Sequence, residues 1–176
     1  MSHLFELISA LTVLVYEAQK DAAALIVMQK RRARKREPLS DFLEICEIAL
    51  EQQTLSIVSK LFDSDSTHGH TNCSIQTLKK QCAELNVNKH ILEAIDRLIE
   101  EYQSVVSKDV RNKRLAHLDY DSLQEGVAYN IDFESLLNLI DGLCELLSVV
   151  SSEVLIGEIV FPKTNDLVTE LEKDQG

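Results

Sequence analysis

The chain has no tryptophan, only two prolines and five glycines, and four cysteines in 176 residues. Without Trp, and with aromatics at 5%, it offers little platform for stacking single-stranded bases. That argues against general coating of single-stranded nucleic acid. So few Gly and Pro leave long stretches unbroken, and Leu, Ile, Val, Ala, Glu and Lys in their place favour helices. There is no glycine-rich phosphate loop, no Rossmann or P-loop fingerprint and no internal repeat. No apolar run is long enough to span a bilayer, because Glu6, Glu17, Lys20 and Asp21 interrupt the N-terminal one. Neither an export leader nor an anchor is expected, so the chain reads as cytoplasmic, with no membrane contact and reduced thiols. Cys46, Cys73, Cys82 and Cys144 do not make a disulfide framework in a chain of this size. Cys46 and Cys144 fall on apolar helical faces and read as small core residues.

What is present is a hydrophobic share of 45%, enough for a core, on a length that suits one domain with a small appendage. The formal charge is −11, so the body repels nucleic acid at long range. The cations are clustered. Lys30, Arg31, Arg32, Arg34, Lys35 and Arg36 form one run, and Lys108, Arg111, Lys113 and Arg114 another. Local basic patches on an acidic body suit a small, placed anion better than indiscriminate coating. The first run reads equally well as a solvated helix end.

Apolar residues recur with helical period over residues 2–29, and Pro38 predicts a break near residue 37. Ser40 or Asp41 then caps a second helix whose core face is expected to hold Phe42, Ile45, Cys46, Ala49, Leu50, Ile57, Val58, Leu61 and Phe62. Residues 63–73 form a polar loop, and Ser74 caps a short helix to about Leu85. Asn88 opens a helix with the stripe Ile91, Ile95, Leu98, Tyr102 and Val105. Asp132 caps a last long helix that buries Phe133, Leu136, Leu137, Ile140, Leu143, Cys144, Leu147 and Val150, with Gly142 marking close packing. Residues 154–161 read as a frayed helix end or an extended segment, Pro162 closes them, and a short acidic helix at 166–173 lies at the periphery. The expected fold is all-α, a bundle of four to six helices over 1–155 with a C-terminal extension over 156–176.

The chemistry concentrates in Val110-Arg111-Asn112-Lys113-Arg114-Leu115-Ala116-His117-Leu118-Asp119-Tyr120. Histidine titrates near neutral pH and can pass a proton either way. Arginine keeps its charge, and its planar fork fits a phosphate. The pair is a minimal kit for breaking a phosphodiester without metal. Equally, cations and a histidine often close a helix because they complement its dipole. Arg111 and His117 are six positions apart, about 600° of turn, so on one straight helix they point about 120° apart. They converge only if the helix breaks or a second subunit completes the site.

This stretch resembles the signature of the HEPN superfamily of helical nucleotide-binding domains: an arginine followed by a polar residue, then a histidine a few residues on. With Leu-Ser-Ile-x-x-x-Leu-Phe-Asp at 55–63, it is similar to the abortive-infection AbiU-like branch. The resemblance implies a HEPN-like bundle and a prokaryotic toxin or antiphage endoribonuclease that needs no cofactor. It implies a homodimer pairing two signatures across a cleft, and a cognate antitoxin or defence partner. Arg111, Asn112 and His117 would be catalytic, cutting RNA by 2′-hydroxyl attack to a 2′,3′-cyclic phosphate. Lys108, Lys113 and Arg114 would follow the RNA backbone or simply be solvated. Asp119 would orient the imidazole or serve as a turn aspartate. Tyr120 departs from the pattern of antitoxin-modified relatives, which carry His-x-Tyr; here two residues separate His117 from Tyr120. The alternatives are a HEPN-like module that binds RNA or nucleotide without turnover, or a helical protein-interaction scaffold.

One competing constellation is His68, His70, Cys73 and Cys82, four zinc-type donors within a short span. Cys82 would have to fold back from a helix to join the other three. A polar loop with incidental histidines accounts for the same residues.

Overall fold

A computed structural model of the chain describes residues 2–35, 41–106, 132–154, 157 and 159–173. The described elements are α1 (Ser2–Lys35), α2 (Asp41–Leu61), β1 (Ser66–Thr67), β2 (His70–Thr71), α3 (Ile75–Glu84), α4 (Lys89–Val105), α5 (Phe133–Glu153) and α6 (Thr164–Lys173). The fold is an all-α bundle. The antiparallel pair β1–β2 is the only sheet among the described residues.

α1 is the longest element. Leu4, Leu7, Ile8, Leu11, Val15, Ala18 and Ala22 recur at helical spacing and are buried in the main core. Past residue 29 the helix runs on through the basic residues to Lys35. Lys and Arg propagate a helix well, and cations suit its C-terminal end. Three of them are also ion-paired: Lys30 and Arg34 to Glu172 of α6 at 3.6 Å, and Arg32 to Glu47 of α2 at 3.5 Å. The predicted break at Pro38 lies outside the described residues.

α1 and α2 run antiparallel, since late α1 (Arg32) meets early α2 (Glu47) while Asp21 bonds Gln53 further along. The second half of α2 is core, with Thr54, Leu55, Ile57, Val58 and Leu61 buried. Its first half is a correction to the sequence reading. Phe42 and Ile45, expected inside, are 72% and 64% exposed, and Ala49 is exposed too. α1 takes the opposite side of α2 through half-buried Glu47 and Leu50, so no described element covers this one. Cys46, expected in the core, is likewise only half-buried.

Three caps fall where the sequence puts them. Ser74 Oγ accepts from the Thr77 N–H, Asn88 Oδ1 from His90 and Asp132 Oδ1 from Glu134. Ile91, Ile95, Leu98 and Tyr102 form the buried stripe of α4. Leu136, Ile140, Leu143, Leu147 and Val150 of α5 are buried as expected, while Phe133 and Leu137 are only partly so. Beyond α5, Ile159–Lys163 is non-helical, which favours the extended reading. α6 begins at Thr164, two residues earlier than expected, and is firmly seated. Leu167 and Val168 make a second small core with Ala23 and Val27 of α1.

Candidate functional site

The pair α4–α5 delivers the chain into and out of the residues singled out by sequence. Leu98 of α4 meets Gly142 of α5: a β-carbon built on Gly142 would stand 2.8 Å from Leu98 Cδ2. A groove of about 470 Å³ runs from this contact along the pair. From α4 it takes residues from Asn88 to Glu101, and from α5 residues from Gly142 to Glu153. It therefore extends toward the start of α4 and the end of α5, so the two helices are antiparallel. The end of α4 at Val106 and the start of α5 at Asp132 then lie at one end of the bundle. At that end Tyr102 stacks on Phe62 with ring centroids 4.4 Å apart and planes 3° from parallel. The bundle thus supplies two braced helix ends for the intervening connection.

Lys108, Arg111, Asn112, Lys113, Arg114, His117, Asp119 and Tyr120 all lie outside the described residues. The described residues at this end are acidic: Glu100 and Glu101 in the last turns of α4, and Asp132 and Glu134 at the start of α5. Asp132 accepts from the Ser135 hydroxyl and the Glu134 N–H, which hold its carboxyl below the ordinary range. A polyanion approaching here meets repulsion from the helix ends.

Three of the six cations in the basic run at the end of α1 are already engaged. Lys30, Arg32 and Arg34 already face Glu172 and Glu47. These exposed pairs add little stability, but they lower the local positive potential.

The zinc-type constellation does not assemble. His68 and Gly69 take φ of 51° and 82° and make the two-residue turn of the β1–β2 hairpin, the conformation such hairpins need. His70 is exposed on β2. Asn72 Nδ2 donates to Ser64 O at 2.9 Å and to Thr67 Oγ1 at 2.7 Å, and Thr77 Oγ1 donates to Asn72 O at 2.6 Å. The loop's polar groups thus tie the hairpin to α3. Cys82 is fully buried in α3, and burial pushes its thiol up to about 11, far from the thiolate a metal needs. Burial raises Cys73 as well. Among the described residues no group of three or more His, Cys, Asp or Glu side chains could hold a metal ion.

A polar junction went unnoticed in the sequence. Gln19 is fully buried within the apolar α1 face and donates Nε2 to Pro162 O at 2.7 Å and to Thr164 Oγ1 at 3.3 Å. Thr164 Oγ1 donates to Asp141 Oδ1 at 2.6 Å. The three residues join α1, α5 and the start of α6 beside a cavity of about 540 Å³. The available signal was one Gln between Val15, Ala18 and Ala22. The cavity also borders Cys144, whose thiol burial pushes up to about 12, so it presents no thiolate there.

A family model described as AbiU2 matches residues 3–170, nearly the whole chain and all of the stretch from Val110 to Tyr120. No curated protein and no solved structure matches it significantly. Among the described residues no helix is long and apolar enough to cross a membrane.

Proposed function

Because this chain belongs to the AbiU2 family of HEPN-type abortive-infection proteins, we propose that it is a metal-independent endoribonuclease acting through Arg111 and His117. The observation that carries the reading is the family match across 3–170, which includes the Arg111–His117 pair. The described frame supports it, with two antiparallel helices ending together on either side of that pair.

In the proposed reaction the ribose 2′-oxygen bonds to the adjacent phosphorus and the bond from phosphorus to the 5′-oxygen breaks. His117 of one copy takes the 2′-hydroxyl proton, and His117 of a second copy gives one to the leaving 5′-oxygen. The products are a 2′,3′-cyclic phosphate and a 5′-hydroxyl. Arg111 holds the charge that builds on the non-bridging oxygens through charge-assisted hydrogen bonds, and Asn112 orients the phosphate. Lys108, Lys113 and Arg114 contact the flanking backbone. DNA lacks the attacking hydroxyl and is not cut. A cognate antitoxin or defence partner restrains the activity in the cell.

A module that binds RNA without turnover is the second reading. The carboxylates already facing Lys30, Arg32 and Arg34 weigh against it for a long strand, since they leave a smaller basic surface.

The deciding experiment incubates total RNA with the purified protein in excess EDTA, beside His117→Ala. Cutting by the wild type with cyclic-phosphate ends, lost in the variant, establishes the ribonuclease. Identical RNA from the folded wild type and the variant favours the binding module.

A further inference from the structure

α6 lies parallel to α1 along a single stripe of it. Thr164 meets Gln19, Leu167 and Val168 pack with Ala23 and Val27, and Glu172 faces Lys30 and Arg34. At about 100° per residue, Gln19, Ala23, Val27, Lys30 and Arg34 fall within about 80° of one another on α1. The stripe is apolar at its centre and cationic at its end. There one carboxylate oxygen serves two cations: Glu172 Oε1 is 3.6 Å from Lys30 Nζ and 3.6 Å from Arg34 Nη2. The two cations are one turn apart, about 5–6 Å between β-carbons, so both can close on the same anion. Arg31, next to Arg34 on the helix surface, is exposed and has no ion pair among the described residues. Arg32 points the other way, to Glu47 of α2.

We infer that Lys30, Arg31 and Arg34 form a cradle for an RNA backbone, remote from the scissile site, and that Glu172 occupies it as an internal stand-in for phosphate. Three observations carry this. First, an anionic oxygen shared between an ammonium and a guanidinium is the contact a phosphate oxygen would make, and the arginine fork suits phosphate. Second, Glu172 is easily exchanged. Its side chain is 30% exposed, and those of Lys30 and Arg34 are 47% and 70% exposed, so water already reaches the pair. Glu172 also stands in the last turn of α6, where the helix dipole disfavours an acid, and such pairs anchor little. The seat of α6 is Thr164, Leu167 and Val168, so the carboxylate can swing aside while the helix stays docked. Third, Glu172 is tethered and therefore present at high effective concentration. A lone small anion gains too little to displace it, whereas a strand already held at a second place competes on equal terms. On a body of net charge −11 the covered cradle thus selects a long polyanion over small anions.

The cradle lies at the end of the bundle away from Tyr102. Arg32 is beside Glu47, and Glu47 stands fourteen positions before Leu61 on α2, about 21 Å of helix. Phe62, which stacks on Tyr102, follows at once. At about 3.4 Å per stacked nucleotide, a strand needs about six nucleotides to pass from the cradle to the helix ends on either side of the Arg111–His117 stretch. Long RNAs therefore reach both places, and the shortest ones reach only one. This anchor rests on the RNA reading given under Proposed function and adds to it a preference for length.

The test is fluorescence anisotropy of a labelled single-stranded RNA of about twelve nucleotides, twice the span to be crossed. It uses the full chain with His117→Ala, in EDTA, so that binding is read without cleavage. Adding Glu172→Gln keeps the side chain's size and removes its charge. It should tighten binding about three- to tenfold and steepen the salt dependence by about 1.4 in logarithmic slope, the share of two phosphate contacts. Glu170→Gln makes the same charge change at an exposed position of α6 with no cation facing it, and should bind like the parent. Adding Arg34→Gln to Glu172→Gln should cancel the gain, and an RNA of about three nucleotides should not tell the variants apart. Coincident melting profiles show that the gain does not come from a loosened fold. Equal affinity and salt slope for the parent and Glu172→Gln, with RNA bound by both, overturn the cradle and leave the RNA reading standing. A gain that Glu170→Gln reproduces overturns it too, since general charge then accounts for the effect. Absence of binding by every variant overturns the cradle, and cleavage of total RNA by the chain with His117 intact then decides the ribonuclease reading separately.

Discussion

Leu98 and Gly142 fix how closely α4 and α5 approach, for the space a β-carbon on Gly142 would occupy is already filled by Leu98 Cδ2. The glycine is helical and lowers helix propensity by about 1 kcal/mol relative to Ala. Close packing offsets that. Gly142→Ala should be nearly neutral, because the gained propensity is consumed in moving the end of a flexible leucine. Gly142→Val cannot be absorbed that way and should destabilise by about 1–3 kcal/mol, measured by urea unfolding. It also displaces the two helix ends on either side of the Arg111–His117 stretch, so the proposed RNA cleavage should fall more than the folded fraction does.

Tyr102 stacks flat on Phe62, yet its hydroxyl is buried without a hydrogen-bond partner among the described residues. An unpaired buried polar group costs about 1–3 kcal/mol, so removing it can only help the packing. Tyr102→Phe should therefore match the wild type or exceed its stability by up to about 1 kcal/mol. Tyr102→Ala should lose about 3–5 kcal/mol with the ring contact. A loss of stability in Tyr102→Phe, read from the unfolding midpoint, would mean that the hydroxyl has a bonding partner after all.

The bundle was legible in the sequence because its signals are local. Ser74, Asn88 and Asp132 announce their own helix starts, and the Ile91-Ile95-Leu98-Tyr102 stripe announces its buried face. Phe42 and Ile45 misled because periodicity says only that a face is apolar, not what covers it. The ion pairs of the cationic run were not legible, because its partners, Glu47 and Glu172, lie far off in sequence. Gln19 escaped notice for the same reason, since Pro162 O, its closest acceptor, is in another part of the chain. The Arg111–His117 pair suggested chemistry by its residue types and spacing, but both residues lie outside the described ones, and no spacing rule reports the tertiary or quaternary contact that would bring them together.

Asp132 links the start of α5 to pH. The Ser135 hydroxyl and the Glu134 N–H hold its carboxyl below the ordinary value of 3.8. A depressed acid stabilises the fold above its unfolded value and loses that contribution as pH falls through the folded value. The wild type should accordingly melt higher than Asp132→Ala at neutral pH, and the gap should close as pH falls below the ordinary value of 3.8 and through the lowered folded value. Asp132→Asn keeps a capping acceptor but does not titrate, so its melting temperature should show a shallower acid decline. A gap to Asp132→Ala that is constant from pH 7 into strong acid would show that the carboxylate charge contributes nothing to the cap.

Two separate attachments hold α6 to α1, and they should differ sharply in strength. At its start Thr164 accepts from the buried Gln19 and donates to Asp141 at 2.6 Å. At its end Glu172 faces Lys30 and Arg34 at 3.6 Å from partly solvated positions. Water competes with the second attachment and hardly with the first. Thr164→Val keeps the volume and deletes both hydrogen bonds, leaving Gln19 Nε2 with Pro162 O alone; it should cost about 1–2 kcal/mol. Glu172→Gln should cost less than about 0.5 kcal/mol and should lose even that at high salt. Hydrogen exchange distinguishes this from a general loosening. In Thr164→Val the amides of α6 should exchange faster while those of α4, which packs elsewhere, keep their protection. Uniformly faster exchange across both helices would mean that the Gln19–Thr164–Asp141 junction supports the whole bundle and not just the seat of its last helix.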